Sequence, residues 1–274
     1  MKKIILTFSM GLLLQVVHAQ QQQGRVLYER TVQMQMRMMG IAASGNASAA
    51  ADVATLLPTS HKDQLEVLFG NNQSLRRTKE EDRPEEFSSR EGGMEAHIMV
   101  ADANDITYHN FATAQVIEQR EFGTKNYIIA DSIHKLNWKL TGKTSTILNY
   151  PCQEAVAQTI FKRSQTNMVD GQLKQEEATD TSNIIAWFTP AIPVPAGPEY
   201  QGQLPGLILG ININDGRIVY TAREVSTQID VAAIKAPSKG KKVTTEEFNK
   251  ERDKMIAEMQ RNGGRGGMMR TRQQ

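Results

Sequence analysis

From Ala96 to Val225 the chain is a succession of short apolar or alternating runs with no helical stretch between them. They read AHIMVAD, DITYHNF, TAQVIEQREF, KNYIIAD, KLNWKL, TSTILNY, CQEAVAQTIF, NIIAWF, LILGINI and RIVYTAREV. Strands that follow one another without helices pair antiparallel, because a parallel crossover needs a dozen or more residues and is usually a helix. The pattern predicts a mainly β protein: a curved antiparallel meander of roughly ten to twelve strands, a half-barrel or open barrel, with one C-terminal helix.

Turn chemistry marks several breaks. Asn214-Asp215-Gly216 and Gly70-Asn71-Asn72 sit between apolar runs and carry the residue types that accept positive φ, so each predicts a hairpin. Weaker turns are read at Asp102–Asp105, Gly123–Thr124 and Gly142. The charged stretch Glu80–Gly93 and the polar stretch between CQEAVAQTIF and NIIAWF read as loops. Val26 to Met38 alternates, with Tyr28, Val32, Met34, Met36 and Met38 on one parity, which predicts a strand with one buried face. Its methionines at spacing two form a row of core fillers and not a cluster around a metal ion.

Trp187 to Leu209 reads WFTPAIPVPAGPEYQGQLPGLIL. Proline fixes φ and lacks an N–H, so Pro190, Pro193, Pro195 and Pro198 are excluded from a central strand. The segment predicts a rigid, extended connection that delivers Leu207–Leu209 into the sheet. Pro205-Gly206 fits a type II turn, in which the glycine adopts positive φ. If Gln203 also occupied unusual φ, Gln203→Gly would be neutral or stabilising.

Lys2 and Lys3, the apolar run Ile4–Val17 and then Val17-His18-Ala19 have the layout of a secretory signal peptide. The expectation is a signal peptide over 1–19, cleaved after Ala19, and a mature chain in the periplasm or secreted. Losing both lysines takes the formal net charge from +2 to about 0. The mature chain then reads as a β-rich domain over 20–236, with a low-complexity insertion near 40–58, followed by 237–274, a basic helix with a Gly/Arg tail. Thr244 and Glu247 match a capping box for a helix from Thr245 to about Arg261. The composition shift at Pro237 marks a linker, so the tail beyond it is expected to be dispensable for folding.

With only 6% aromatic residues, the core rests on Ile, Val, Leu and Met. An exported chain with the single cysteine Cys152 has no internal disulfide. Cys152 shares strand parity with Glu154, Val156, Gln158 and Ile160, and a lone cysteine of this kind is most often buried. The other readings of it are a partner-chain disulfide and a reactive thiol. His61, His97, His109 and His134 show no metal-ligand spacing, and no GxSxG, P-loop or dinucleotide fingerprint is present. The reading is therefore no catalytic residue, no metal site and no cofactor.

Trp138, then ILNYPCQEA around Cys152, then AWFTPAIP with Trp187, Pro190 and Pro193, then Gly197-Pro198 and Leu204-Pro205-Gly206-Leu207-Ile208-Leu209, stand in a characteristic order. In that order and spacing the chain resembles the GLPGLI family, exported proteins of Gram-negative Bacteroidota with no established activity. The match runs roughly from Trp138 to Tyr220. The motif's first glycine is Gln203 here, with Gly202 one position earlier, and Lys162-Arg163 replaces a Gly-Arg that often follows the cysteine strand. To a lesser degree the same order resembles the half-barrel periplasmic carriers of lipids and lipoproteins of the LolA type.

The resemblance implies location and architecture, and leaves three functions open. The first is a non-enzymatic envelope protein that binds an apolar or lipid ligand, or a lipidated partner, in a curved sheet. The second is an accessory of an outer-membrane transport or secretion system. The third is a cysteine-dependent hydrolase. Nucleic acid is not an expected partner of an exported chain, and the oligomeric state is open.

Overall fold

The structure, a computed structural model, describes residues 22–33, 60–79, 87–91, 94–98, 105–169 and 172–263. The signal segment 1–19, Met34, Met36 and Met38, the insertion at 40–58, Asp102 and the tail 264–274 lie outside the described residues. In chain order the strands are β1 (Gly24–Gln33), β2 (Ser60–Gly70), β3 (Gln73–Thr78), β4 (Phe87–Glu91), β5 (Met94–Ile98), β6 (Ile106–Asn110), β7 (Gln115–Phe122) and β8 (Lys125–Ser132). They continue with β9 (Lys139–Ile147), β10 (Tyr150–Val169), β11 (Gln172–Thr189), β12 (Leu207–Ile213), β13 (Ile218–Ser226) and β14 (Lys241–Val243). A 3-10 turn at Val231–Ala233 precedes β14, and the helix α1 (Thr245–Gly263) follows it.

Twelve strands form one open sheet in the order β14-β8-β7-β6-β3-β2-β1-β13-β12-β11-β10-β9, and β4 pairs with β5 separately. Every neighbour is antiparallel except β14, which runs parallel to β8. The chain makes two meanders, β1 to β8 and β9 to β13, joined where β1 pairs with β13. The two predicted hairpins are present: Asn71 and Asn72 have φ 50° and 56°, and Asn214 and Asp215 have φ 52° and 53°.

The sheet cannot be flat. β8 and β9 are second and twelfth in the order, ten positions apart, which in a flat sheet is ~48 Å at ~4.8 Å per strand. Residues 133–138 connect them, and a chain of that length spans at most ~24 Å. The sheet therefore curls, and the connection lies on its concave side.

Side-chain alternation fixes what faces inward. On the concave face lie Val26, Tyr28, Leu65, Val67, Phe69, Ala155, Ile184, Ala186, Phe188, Ile211 and Ala222, all buried in one cluster. The segment between β11 and β12, residues 190–206, folds over this face as a strap. It contributes Ile192, Val194, Ala196 and Leu204 to the same cluster. Its backbone is a run of tight turns. Val194 N–H donates to the Ile192 carbonyl and Ala196 N–H to the Val194 carbonyl, both at 2.8 Å, and Gly206 N–H to the Leu204 carbonyl at 2.9 Å. Each three-residue turn has a proline at its centre, Pro193, Pro195 and Pro205, where the fixed φ suits the turn and no N–H is required. The strap also bonds to the strand it leads into, Leu207 N–H to the Ile192 carbonyl (3.0 Å) and Ile208 N–H to the Ala196 carbonyl (2.9 Å).

On the opposite face, Leu68, Leu75 and Tyr108 form a second buried cluster under Ile234, with Ile229 and Val231 packed against it. Ion pairs cross the rest of that face, including Arg25–Glu224 (2.7 Å) and Arg77–Glu66 (2.7 Å).

Several sequence expectations change. The charged stretch at 80–93 contains β4, which pairs with β5. The polar stretch after Ile160 is not a loop, because β10 and β11 pair continuously from Gln153–Phe188 to Val169–Gln172. Gly142 does not end a strand. It sits at φ 80° within β9, where the register slips between Gln153 and Ala155 of β10. That bulge reverses the expected parity beyond Cys152. Cys152, Ala155 and Ala157 point into the core, and Glu154 is held at the bulge by Thr141 Oγ1 (2.9 Å) and Lys143 Nζ (3.1 Å). The segment 135–138 is irregular, and its strand starts at Lys139.

A further change concerns the C-terminal segment. The capping box forms as read: Glu247 N–H donates to Thr244 Oγ1 (3.2 Å), and Thr244 N–H donates to Glu247 Oε2 (2.9 Å). The helix is not independent of the sheet, however. Phe248 is 4% exposed and packs with Tyr127 and Ile129, its ring edge-on to Tyr127 at 5.3 Å. Phe248→Ala is expected to destabilise the protein by about 3 kcal/mol, the low end for a buried phenylalanine. Truncation after Pro237 is expected to cost at least as much. Thermal unfolding of both variants checks this, and unchanged melting points would restore the view of a dispensable tail.

Candidate functional site

Between the strap and the helix the concave face stays open as a cleft of about 330 Å³. Its floor is a grid of directly paired residues. Arg76, Thr107, Glu118 and Ile129 form one row across β3, β6, β7 and β8, and His109, Val116 and Asp131 the next, which Ser74 continues beneath the strap. The strap supplies one wall with Glu199, Tyr200 and Gln203, and Thr245 at the start of α1 stands on the other.

The floor is polar where the sheet leaves its apolar core. Arg76 is the pivot: it ion-pairs with Glu199, donates to the Pro198 carbonyl (2.9 Å) and donates to Thr107 Oγ1 (3.1 Å). The Tyr220 hydroxyl donates to the same Glu199 at 3.3 Å. Ser74 Oγ donates to the buried Gln201 Oε1 at 2.6 Å, so the strap is tied to β3 at two points. Arg120 pairs with Glu118 (2.7 Å) and lies over the Phe248 ring, 5.6 Å from its centre, which couples the cleft to the helix. Asp131 accepts from Thr245 Oγ1 (3.2 Å) and faces His134 Nε2 (3.3 Å). The backbone N–H of Ser132 is the largest influence that keeps the Asp131 carboxyl below its usual range.

His109 is half-buried beside Phe111, with ring centres 6.2 Å apart, and its Nδ1 is buried without a hydrogen-bond partner among the described residues. Burial, and then the Arg76 charge, depress its pKa to about 4. The unfolded chain therefore binds a proton near pH 6.5 that the folded protein refuses until about pH 4. Stability from this group is complete above pH 6.5 and falls as pH drops through the window to about 4, by on the order of 2–3 kcal/mol. The carboxylates add their own slope at the acid end. The expected result is a steeper loss of melting temperature from pH 6.5 to 4 in the wild type than in His109→Phe.

The residues singled out in the sequence fall into the strap and the core beneath it. Cys152, Leu204, Leu207 and Ile208 are at most 4% exposed, and Gly197, Pro198 and Gly206 are also buried. Trp138 and Trp187 are half-buried against the cluster, and Pro190, Pro193 and Pro205 face outward. The Cys152 thiol is pushed up by burial, and its Sγ lies 3.4 Å from the Tyr150 carbonyl.

The type II turn is corrected. Gly206 does not have positive φ; within the strap that conformation belongs to Tyr200 (55°) and Gly202 (77°). Gln203, which stands where the motif has its first glycine, has a different task. Its Oε1 accepts from Leu136 N–H (2.9 Å) and Trp138 Nε1–H (3.0 Å), which fixes the β8–β9 connection to the strap. Gln203→Gly is therefore expected to cost about 1–3 kcal/mol, through two orphaned donors. A neutral or stabilising result in thermal unfolding would refute that role.

Of the residues named from the sequence, Pro198, Gln203, Thr245 and the histidines His109 and His134 line the cleft. Arg76, Glu118, Arg120, Asp131, Glu199 and Tyr200 were missed. One signal was available for a buried charge: Arg30 shares the parity of Tyr28 and Val32, so a guanidinium had to face the core side.

A family model described as a protein of unknown function (Porph_ging) matches residues 138–210. That range runs from Trp138 through β9, β10, β11 and the strap into β12. Two solved structures of PNGF-II, from two space groups, align at 14% identity with TM-scores of 0.48 and 0.49, covering 84% and 83% of this chain. The chain spans about a third of their length, 32% in each case. No curated protein matches the chain. Among the described residues no helix is long and apolar enough to cross a membrane, and no cluster of His, Cys, Asp and Glu has the geometry of a metal site.

Proposed function

We propose that this is an exported, non-enzymatic envelope protein of the GLPGLI type, and that it binds a small polar ligand in the cleft between strap and helix. One observation carries the reading: the strap occupies the apolar part of the concave face, so the open part is the polar grid around Arg76, His109 and Glu118. Ligand pockets are concave, and polar groups placed within them fix the orientation of a ligand. An apolar or lipid ligand would have to displace Ile192, Val194, Ala196 and Leu204, which are themselves core residues. A cysteine-dependent hydrolase is disfavoured, because Cys152 is 1% exposed and burial holds its thiol protonated.

The test is thermal unfolding of the mature chain with two fractions of a bacterial envelope extract, its water-soluble small molecules and its lipids. A ligand that binds only the folded state raises the melting point. The expected result is a rise with the soluble fraction alone; a rise with the lipid fraction alone would sink the reading. Export is checked separately, by intact mass of periplasmic protein beginning at Gln20.

A second reading, as an accessory of a transport or secretion system, has its own support. β10 and β11 pair with each other to Val169–Gln172, but β9 ends its pairing at Val156 and β12 at Ile184. Beyond those points neither β9 nor β12 continues alongside the ribbon, and strand edges of this kind are the usual template for strand addition by a partner. Crosslinking in the native envelope, with the ribbon shortened to an Asn-Gly turn, separates the two readings.

A further inference from the structure

We infer that the ligand of the cleft is an uncharged polyhydroxyl compound of the sugar class. This rests on the cleft being a binding site, as proposed above. The first ground is charge. Arg76 is already paired with Glu199, Arg120 with Glu118, and Asp131 with His134 and Thr245. An anion would have to pull a guanidinium from its carboxylate, and a cation the reverse, each leaving a partly buried charge unpaired. A neutral ligand breaks no pair.

The second ground is the remaining hydrogen-bonding capacity. A carboxylate offers about four acceptor sites and a guanidinium five donors, so the paired groups keep free lone pairs and N–H groups. These alternate across adjacent strands, Arg76 opposite Thr107 and Thr107 opposite Glu118, with His109 in the next row. Hydroxyl groups both donate and accept, and a ring carrying several of them matches such a grid where a single-sign ligand does not. His109 also lines the floor, with its unpartnered Nδ1 turned away from solvent.

The third ground is the wall. Tyr200 is held at φ 55°, an uncommon conformation for a bulky residue, and its ring meets Trp138 edge-on at 5.8 Å. Backbone strain of this kind persists where the surroundings impose it and clusters at ligand clamps. An aromatic body with a polar tip suits the apolar C–H face and the hydroxyl rim of a sugar ring. The volume, about 330 Å³, is at the small end for ligand pockets and fits one or two rings.

The test is ligand-observed NMR on the mature chain with methyl β-D-glucopyranoside, D-mannose and N-acetylglucosamine, each at millimolar concentration. Inorganic phosphate, calcium and octanoate serve as comparators. The expected result is binding of at least one sugar, at least tenfold weaker in Glu118→Gln and in His109→Phe, both checked for a native melting profile. If either variant fails to fold, Tyr200→Ala replaces it. Binding of phosphate or calcium but no sugar, lost in the same variants, overturns the ligand class and leaves the cleft as the site. Sugar binding that these variants do not alter overturns both the class and the site. Octanoate binding alone overturns both, and no binding by any probe overturns the sugar class.

Discussion

Gly206→Ala is expected to destabilise the protein by about 3 kcal/mol or more, a fall of about 6–12 °C in melting temperature for a domain of this size. A β-carbon built at this position would lie 2.2 Å from the Thr189 carbonyl oxygen and 3.1 Å from the Pro190 nitrogen, both backbone atoms. Neither can swing aside as a side chain would. Thr189 ends β11 and is fully buried, and Leu207, the next residue after Gly206, opens β12. The glycine lets the chain leave one strand and return beside it, with the whole strap between. The cause can be separated from a φ requirement. Asparagine is tolerated where φ is positive, so at such a position Gly206→Asn would be milder than Gly206→Ala. For close approach it is no better. An unchanged melting point for Gly206→Ala would remove this account of why the motif ends in glycine.

Asp63→Ala is expected to cost about 3–5 kcal/mol, the usual penalty for leaving a buried charge without its partner. The Arg30 and Asp63 side chains are 8% and 0% exposed, face each other across β1 and β2, and form two bonds, Nε to Oδ1 at 2.9 Å and Nη2 to Oδ2 at 2.5 Å. Asp63→Leu combined with Arg30→Met removes both charges and keeps apolar volume, so it is expected to be far closer to wild type than either single change. Chemical denaturation of the four proteins measures the coupling. Additive losses would mean that the pair has no mutual contribution. Tyr220 pairs with Arg30 across β1 and β13 and donates to Glu199, so this ion pair borders the polar floor of the cleft.

The sequence alone determined the class of fold, because local chemistry decides it. Successive strand runs without helices left only antiparallel pairing, Asn71-Asn72 and Asn214-Asp215 specified their hairpins through positive φ, and Thr244 with Glu247 capped the helix. The prolines of 190–205 likewise kept that stretch out of the ladder. What the sequence could not supply was anything set by atoms distant along the chain. Gly206 looked like a turn glycine, yet its constraint comes from a carbonyl 17 residues earlier. Glu154 broke the parity of β10 because three residues of β9 bulge around it. Phe248 looked like part of a dispensable helix until Tyr127 and Ile129 supplied its partners. The cleft is the extreme case. Its floor draws on β3, β6, β7 and β8 and its walls on the strap and the helix, so its residues are scattered from Arg76 to Thr245. No local pattern records such a site; only the curl of the sheet, forced by the short link between β8 and β9, brings those residues to one place.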